Sequence, residues 1–132
     1  MTTRLVRDVM TNAAINVRAD APLSEAAGLL DTYHISGMPV VDRDGHLVGV
    51  ISQTDLLRAR VIDHLWRALP GLAVRHLMAV PAVTASESMA LDDAAALMEK
   101  QQIHRPVVVA EDGRTPIGVL SVSDVIHEMA HR

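Results

Sequence analysis

The 132-residue chain contains no cysteine and no phenylalanine, and it has one tryptophan, Trp66, and one tyrosine, Tyr33. Without cysteine it has no disulfide framework, no thiol nucleophile and no cysteine-ligated zinc. Hydrophobic residues nevertheless make up 49% of the chain. The core is therefore expected to consist of alanine, valine, leucine, isoleucine and methionine.

A long apolar run and an excess of basic residues are also missing. No stretch approaches the roughly 18 apolar residues of a membrane span, and residues 1–10 lack the apolar segment of a secretion signal. These absences predict a cytoplasmic protein with no membrane partner. The net charge of −4 argues against nucleic acid as a partner, because duplex-binding proteins carry a basic stripe. A local anion site at a helix terminus remains open.

The most informative feature is an internal repeat. Two stretches share the same order of residues, beginning with Met10 in one and Met78 in the other. Two copies are too few for a solenoid and predict a pseudo-symmetric pair. We expect a first domain with a trailing helix at residues 1–66 and a second domain at residues 67–132. Further aligned pairs are Leu23 with Leu91, Leu30 with Met98, Pro39 with Pro106, Ser52 with Ser121, and Asp55 with Asp124.

Each copy has the pattern β-α-β-β-α, which predicts an α/β (α+β) fold. A short apolar strand is followed by a helix whose apolar residues recur at i, i+3, i+4 and i+7. Asp20 and Ser88 precede these helices and are predicted to cap them. Two valine-rich strands then flank an Asp-Gly turn, which is a hairpin signal. The helical pattern consists of Leu23, Ala26, Ala27 and Leu30, and of Leu91, Ala94, Ala95 and Met98.

Between the copies, apolar residues at helical spacing predict a linking helix that ends at Pro70-Gly71. Trp66 lies on this helix, and we expect it to pack across an intrachain or dimer contact rather than to bind a ligand.

The doubled series of motifs resembles a tandem pair of cystathionine-β-synthase (CBS) domains, called a Bateman module. The resemblance covers residues 6–130. It rests on "VRDVMT" and "VRHLMA", on the Leu-x-x-Ala-Ala helix, on the Pro-Val-Val strand and on Gly-Val-[IL]-Ser-x-x-Asp, each present twice. It implies two pseudo-symmetric repeats packed as one module.

The resemblance also implies a function. It indicates a regulatory binding module, not an enzyme, with no required cofactor. Members of the family bind adenosine-containing ligands such as AMP, ADP, ATP, S-adenosylmethionine or NAD-type dinucleotides in clefts between the paired domains. They commonly form homodimers, and here we expect the output to act in trans on an unknown protein effector.

The element Gly-x-x-Ser-x-x-Asp is similar to the family's ribose-phosphate motif. A carboxylate three residues after a serine places both groups in the first turn of a helix. The carboxylate can accept hydrogen bonds from two vicinal ribose hydroxyls, while the serine hydroxyl and the free N–H groups suit a phosphate. The residues concerned are Gly49, Ser52 and Asp55 in the first repeat, and Gly118, Ser121 and Asp124 in the second.

The same element has a structural explanation. Ser-x-x-Asp before an apolar run is also a capping box that needs no ligand. The alternative function is therefore a ligand-free oligomerisation or protein-interaction module whose carboxylates only cap helices.

Further contacts are implied by the resemblance alone. Adenine is expected beside the first strand and beside the residues before and within Pro-Val-Val. His104 and Arg105 lie where family members place basic residues against phosphates, whereas the first repeat has neutral Ser36 and Gly37, so unequal sites are expected. Besides each Ser and Asp, the predicted ligand-binding residues are Asn16, Val17, Gly37, Met38, Pro39, Val40, Thr54, Val83, Thr84, His104, Arg105, Pro106 and Ser123.

The C-terminal residues His127-Glu128-Met129-Ala130-His131 match the zinc-protease pattern H-E-x-x-H. The two histidines would share one helix face, but catalytic zinc needs three protein ligands and an open position. The repeat assigns this stretch to the last helix of the second domain. We therefore interpret the match as coincidental and predict no catalytic residues and no metal site.

Overall fold

The computed structural model describes residues 4–12, 15–61 and 71–131. The predicted linking helix with Trp66, and the expected domain boundary between residues 66 and 67, lie outside these ranges. No helix among the described residues is long and apolar enough to cross a membrane. The helices are α1 (Val6–Val9), α2 (Leu23–Thr32), α3 (Gln53–Val61), α4 (Leu91–Gln101) and α5 (Val122–Ala130), and the strands are β1 (Thr11–Asn12), β2 (Val17–Arg18), β3 (Gly37–Val41), β4 (Leu47–Ser52), β5 (Thr84–Ser86), β6 (Val107–Val109) and β7 (Pro116–Val119).

The first compact unit comprises Ile15–Ala82. Its sheet has the order β2-β3-β4, with β2 parallel to β3 and β3 antiparallel to β4. A parallel pair needs a crossover connection, and α2 supplies it. The core of this unit consists of aliphatic residues from the sheet and α2, namely Val17, Ala21, Leu23, Ala26, Leu30, Met38, Val40, Ile51 and Val74.

The second compact unit combines two separate parts of the chain, Met1–Ala14 and Val83–Arg132. Its sheet has the order β1-β7-β6-β5, so β1 adds an antiparallel strand to the hairpin of the second repeat. Val6 of α1 is completely buried in this unit. The core consists of Val6, Leu91, Ala94, Met98, Val108 and Leu120.

Each unit therefore takes the segment that precedes the other repeat. Residues 4–12 precede the first repeat but pack with the second. Residues 71–79 precede the second repeat but pack with the first, where Ala79 bridges to Val50 of β4. The repeat pattern alone did not reveal this exchange.

The predicted helix pattern is confirmed at its i, i+3 and i+7 residues, which are buried in both repeats, but not at i+4, where Ala27 is exposed and Ala95 is half-buried. The predicted caps are wrong. α2 begins after Pro22 and α4 after Ala90, and neither has a side-chain cap. Asp20 instead accepts a hydrogen bond from the Arg18 guanidinium at 2.7 Å, and the Ser88 hydroxyl forms a hydrogen bond with the Ser86 hydroxyl at 3.1 Å. Both residues lie two positions before the N-cap, too early to reach the helix N–H groups.

The Asp-Gly hairpins form as predicted. Gly45 and Gly113 have φ angles of 80° and 71°, in the region where glycine is favoured. In the first hairpin, Asp42 Oδ1 accepts N–H groups from Asp44 and His46 at 2.9 and 3.0 Å. The hydrogen bond from the His46 N–H is the main reason that the pKa of Asp42 is lowered.

Two glycines permit a close backbone approach at equivalent places in the two units. A Cβ on Gly118 would lie 2.8 Å from the Thr11 carbonyl oxygen and 2.8 Å from the Met10 sulfur. A Cβ on Gly49 would lie 2.8 Å from the Ala79 carbonyl oxygen. The exchanged segments can therefore reach β7 and β4 only where the chain has no side chain.

We expect Gly118→Ala to lower the free energy of unfolding by about 1–3 kcal/mol, because the new methyl must displace backbone in a packed sheet. Gly28→Ala is the matched control, since Gly28 is exposed on α2 and a Cβ added there would have no atom within 4 Å. It should leave the free energy unchanged or raise it by up to about 1 kcal/mol. Urea unfolding followed by circular dichroism measures the free energy of unfolding of both variants. An equal loss of stability in Gly118→Ala and Gly28→Ala would contradict the packing argument.

Candidate functional site

In both repeats the Ser-x-x-Asp element lies where the second hairpin strand runs into the last helix. β4 ends at Ser52 and α3 follows at once, while Ser121 is the N-cap of α5. The repeat places these junctions at corresponding ends of the two sheets. Free N–H groups and the positive end of the helix dipole therefore coincide with a serine and a carboxylate.

In the second repeat the two side chains form a capping box. The Ser121 N–H donates to Asp124 Oδ2 at 2.9 Å, and the Asp124 N–H donates to Ser121 Oγ at 3.1 Å. The hydroxyl of Thr11, from β1, lies 3.2 and 3.3 Å from the two Asp124 carboxylate oxygens. Thr11 was not among the predicted residues, and it is brought here by the segment exchange.

In the first repeat the carboxylate of Asp55 is engaged on one side. Its Oδ2 accepts the Ser52 N–H at 2.9 Å and the Ser52 hydroxyl at 3.0 Å. Its Oδ1 lies 3.8 Å from the guanidinium of Arg58, an exposed residue one helical turn later. The Asp55 side chain retains 15% of its accessible surface.

The other predicted residues of the first repeat fall into two groups. Gly37 lies opposite Ser52 in the β3–β4 register and Val17 lies opposite Val40 in the β2–β3 register, so the sheet brings these strands together beside the junction. The side chains of Val17, Met38, Pro39 and Val40 are buried, and their contribution to a ligand site is limited to backbone atoms. Asn16 is half-buried before β2, and Thr54 is exposed in the first turn of α3.

In the second repeat, as in the first, the stretch before Pro-Val-Val lies beside the junction of strand and helix. The carbonyl of His104 accepts the N–H of Val122 at 3.2 Å, as the carbonyl of Ser36 accepts that of Gln53 at 2.9 Å. The stretch before Pro-Val-Val is thereby held against the start of the helix in both units. Among the remaining predicted residues, His104, Arg105 and Ser123 are exposed, Val83 and Thr84 are half-buried, and Pro106 is buried.

Two clefts lie along α5. One, of about 310 Å³, lies between α4 and α5 and is lined mainly by apolar side chains, with His104 at its edge. The other, of about 350 Å³, is polar and includes Asp124, Glu128 and Arg4. The predicted carboxylate of the second repeat therefore borders a polar cleft.

The H-E-x-x-H residues do not form a zincin site. The rings of His127 and His131 stack with centroids 4.1 Å apart, and His131 Nδ1 lies 2.9 Å from the His127 carbonyl oxygen. Glu128 forms an ion pair with Arg4 at 3.1 Å. Within the described ranges, the one group of three side chains close enough to share a metal is Asp42, Asp44 and His46 on the exposed hairpin.

The family model for the CBS domain matches the chain twice, over residues 6–62 and 74–131. The chain belongs to the CBS domain family as a tandem pair. The predicted fold class is also confirmed, since solved CBS pairs superpose over nearly the whole chain.

Two solved CBS pairs and one curated enzyme illustrate the similarity. CBSX2 of Arabidopsis thaliana, in a crystal structure in complex with AMP, is 29% identical with a TM-score of 0.81, covering 96% of each chain. The CBS pair of MJ0100, in complex with 5′-methylthioadenosine and S-adenosylmethionine, is 26% identical with a TM-score of 0.83, covering 98% of each. Inosine-5′-monophosphate dehydrogenase of Methanocaldococcus jannaschii is 29% identical over 90% of this chain, which spans only 22% of the enzyme.

We expect Ser121→Ala to lower the free energy of unfolding by about 0.5–2 kcal/mol, because it removes a side-chain acceptor from the first turn of α5. Ser123→Ala on the same turn is the matched control, since Ser123 is exposed and lies inside the helix. It should change stability by less than about 0.5 kcal/mol. Chemical denaturation monitored by circular dichroism compares the two, and an unchanged Ser121→Ala would show that the capping box contributes little.

Proposed function

We propose that this CBS pair is a regulatory module that binds an adenosine-containing nucleotide or cofactor and has no catalytic activity of its own. The observation that carries the proposal is the Ser-Asp pair at the start of the last helix in each repeat. At Asp55, one carboxylate oxygen remains without a close hydrogen bond from the described residues. A partly exposed carboxylate of this kind can accept hydrogen bonds from a ribose diol.

The ligand class is supported by the relatives. The CBS pairs of CBSX2 and MJ0100 were solved with AMP, 5′-methylthioadenosine and S-adenosylmethionine, all of which contain adenosine. The enzymatic relative supports no catalytic role here, because the chain corresponds to only 22% of it.

The residues around each junction supply the rest of the site. Adenine would lie against the strand backbones near Val17 and Val40, or near Thr84 and Pro106. The helix N-terminus and the serine favour a phosphate, and in the second repeat the exposed Arg105 adds positive charge and the exposed His104 a ring N–H donor.

The regulatory signal would arise when ligand binding changes the relative populations of two conformations of the module. A ligand shifts a conformational equilibrium only by its difference in affinity for the two states. We propose that the shifted state is recognised in trans by a protein effector. The cytoplasmic location expected from the sequence stays a prediction.

One observation favours a second function. Ser121 and Asp124 each accept the other's backbone N–H in a capping box that needs no ligand. A ligand-free oligomerisation or interaction module would need nothing more from these residues.

The nucleotide proposal predicts a stabilisation of nucleotide-stripped protein by one member of a panel of AMP, ADP, ATP, S-adenosylmethionine and NAD. A ligand at 100 times its Kd adds about 2.7 kcal/mol, which raises the melting temperature by several degrees. One of the two substitutions Asp55→Asn and Asp124→Asn should abolish the shift and thereby identify the repeat that binds, and Asp44→Asn, on the exposed hairpin, should leave it intact. No shift with any of the five compounds would favour the ligand-free module.

We also propose that the chain forms a homodimer through α5. This helix has no buried residue, and its side chains Val122, Ile126 and Met129 are exposed to 43%, 54% and 62%. Apolar side chains clustered on one exposed face are typical of an interaction surface.

Ile126→Lys should therefore convert a dimer into a monomer in sedimentation velocity, because burying an unpaired ammonium group is costly. His127→Lys on the adjacent side of α5 is the control and should leave the dimer intact. A wild-type protein that sediments as a monomer at high concentration would contradict the dimer.

A further inference from the structure

Asp55 and Asp124 occupy equivalent positions in the repeat, yet their carboxylates have different neighbours. Besides the Ser121 N–H on Oδ2, the Asp124 carboxylate has the hydroxyl of Thr11 within 3.3 Å of both its oxygens. Among the described residues, Asp55 Oδ1 accepts no hydrogen bond and has the exposed guanidinium of Arg58 at 3.8 Å. The residues of the Ser-Asp element are the same in both repeats, but the Ser52 hydroxyl donates to Asp55 Oδ2 at 3.0 Å, whereas at Asp124 the nearby hydroxyl is that of Thr11.

The difference comes from one position in the exchanged segments. Thr11 pairs with Val119 of β7, and Ala79 bridges to Val50 of β4. Val50 and Val119 each follow the glycine of close approach, so Ala79 holds in the first unit the place that Thr11 holds in the second. Alanine has no hydroxyl to donate to Asp55.

The position of the Thr11 hydroxyl matters for a ligand. Its oxygen is 3.2 and 3.3 Å from the two Asp124 oxygens, and a group equidistant from both lies near the plane that bisects the carboxylate. A pair of vicinal hydroxyls that donates one hydrogen bond to each oxygen must be centred on the same plane. Thr11 therefore competes with a diol for Asp124.

We propose that Thr11 and Ala79 determine which repeat binds a ribonucleotide: Asp55 keeps Oδ1 available to the ribose diol, while both oxygens of Asp124 lie within reach of the chain's own threonine. This inference rests on the proposed function and adds the identity of the site. It also separates two sources of asymmetry. His104 and Arg105 favour a phosphate in the second repeat, but the ribose contact favours the first.

The test exchanges the two residues. Wild-type protein titrated calorimetrically with AMP should bind one tight equivalent and should bind 2′-deoxy-AMP about tenfold more weakly, which is the size expected for a lost hydrogen bond to a charged group. Ala79→Thr should lower AMP affinity about tenfold and bring the ratio of the two affinities close to one. Ala79→Val, which adds similar bulk without a hydroxyl, should keep the ratio.

The reciprocal change should open the second site. Thr11→Ala should increase the AMP bound per chain from one equivalent towards two, and adding Asp124→Asn should reverse the gain. Because Thr11 and Ala79 are both exposed, the variants should fold, and their melting temperatures without nucleotide verify this.

The outcomes separate the two proposals. If neither the wild-type protein nor any variant binds AMP, ADP, ATP, S-adenosylmethionine or NAD, the proposed function is overturned and this inference with it. Two results would overturn the inference alone. In one, the wild type binds tightly and neither Thr11→Ala nor Ala79→Thr changes the binding. In the other, Asp124→Asn abolishes binding and Asp55→Asn does not. The inference would also be overturned if Ala79→Thr and Ala79→Val had the same ratio of AMP affinity to 2′-deoxy-AMP affinity.

Discussion

The segment that precedes each repeat packs so closely on a hairpin strand that only glycine fits beneath it. At Gly118 and Gly49 a Cβ would lie 2.8 Å from a carbonyl oxygen of the opposing segment. Sheet pairing of β1 with β7, and the bridge from Ala79 to Val50, both depend on this contact. The contact also decides which side chain is carried to the start of the following helix. The packing of each preceding segment against a glycine therefore determines both the fold of each unit and the surroundings of its carboxylate.

The same Ser-Asp pair serves both the helix and the candidate site. A carboxylate held by two or three hydrogen bonds at a helix N-terminus is fixed in position before any ligand arrives, which lowers the ordering cost of binding. Capping uses one carboxylate oxygen in the first repeat and leaves the other beside Arg58. Structural and binding roles are compatible at Asp55 because they use different oxygens. At Asp124 the second oxygen is also within reach of Thr11.

The sequence predicted those features that depend on local patterns or on repetition. The Leu-x-x-Ala-Ala helices, the Asp-Gly hairpins and the Ser-Asp junctions all form where their patterns indicate, since periodicity and turn chemistry act over a few residues. The caps assigned to Asp20 and Ser88 failed because helix boundaries vary by one or two residues and a cap must lie at one of them. The exchange of residues 4–12 and 71–79 was not foreseeable, because a short segment with a four-residue helix carries no signal for which repeat it packs on. Thr11 was missed for the same reason, although "VMT" against "LMA" already marked the position where the repeats differ.

A duplicated domain can acquire two unlike sites only if some residues escape the constraints that keep the copies alike. The serine, the aspartate and the glycine of close approach are each tied to a helix end or to a backbone contact, so changing them costs stability in that unit. Thr11 and Ala79 are exposed, and the backbone alone makes their sheet contacts. A substitution at these positions alters the hydrogen bonds at the neighbouring carboxylate while leaving the pairing of the strands unchanged. The residues best suited to distinguish the two sites are therefore those in the exchanged segments, outside the motif that defines the site.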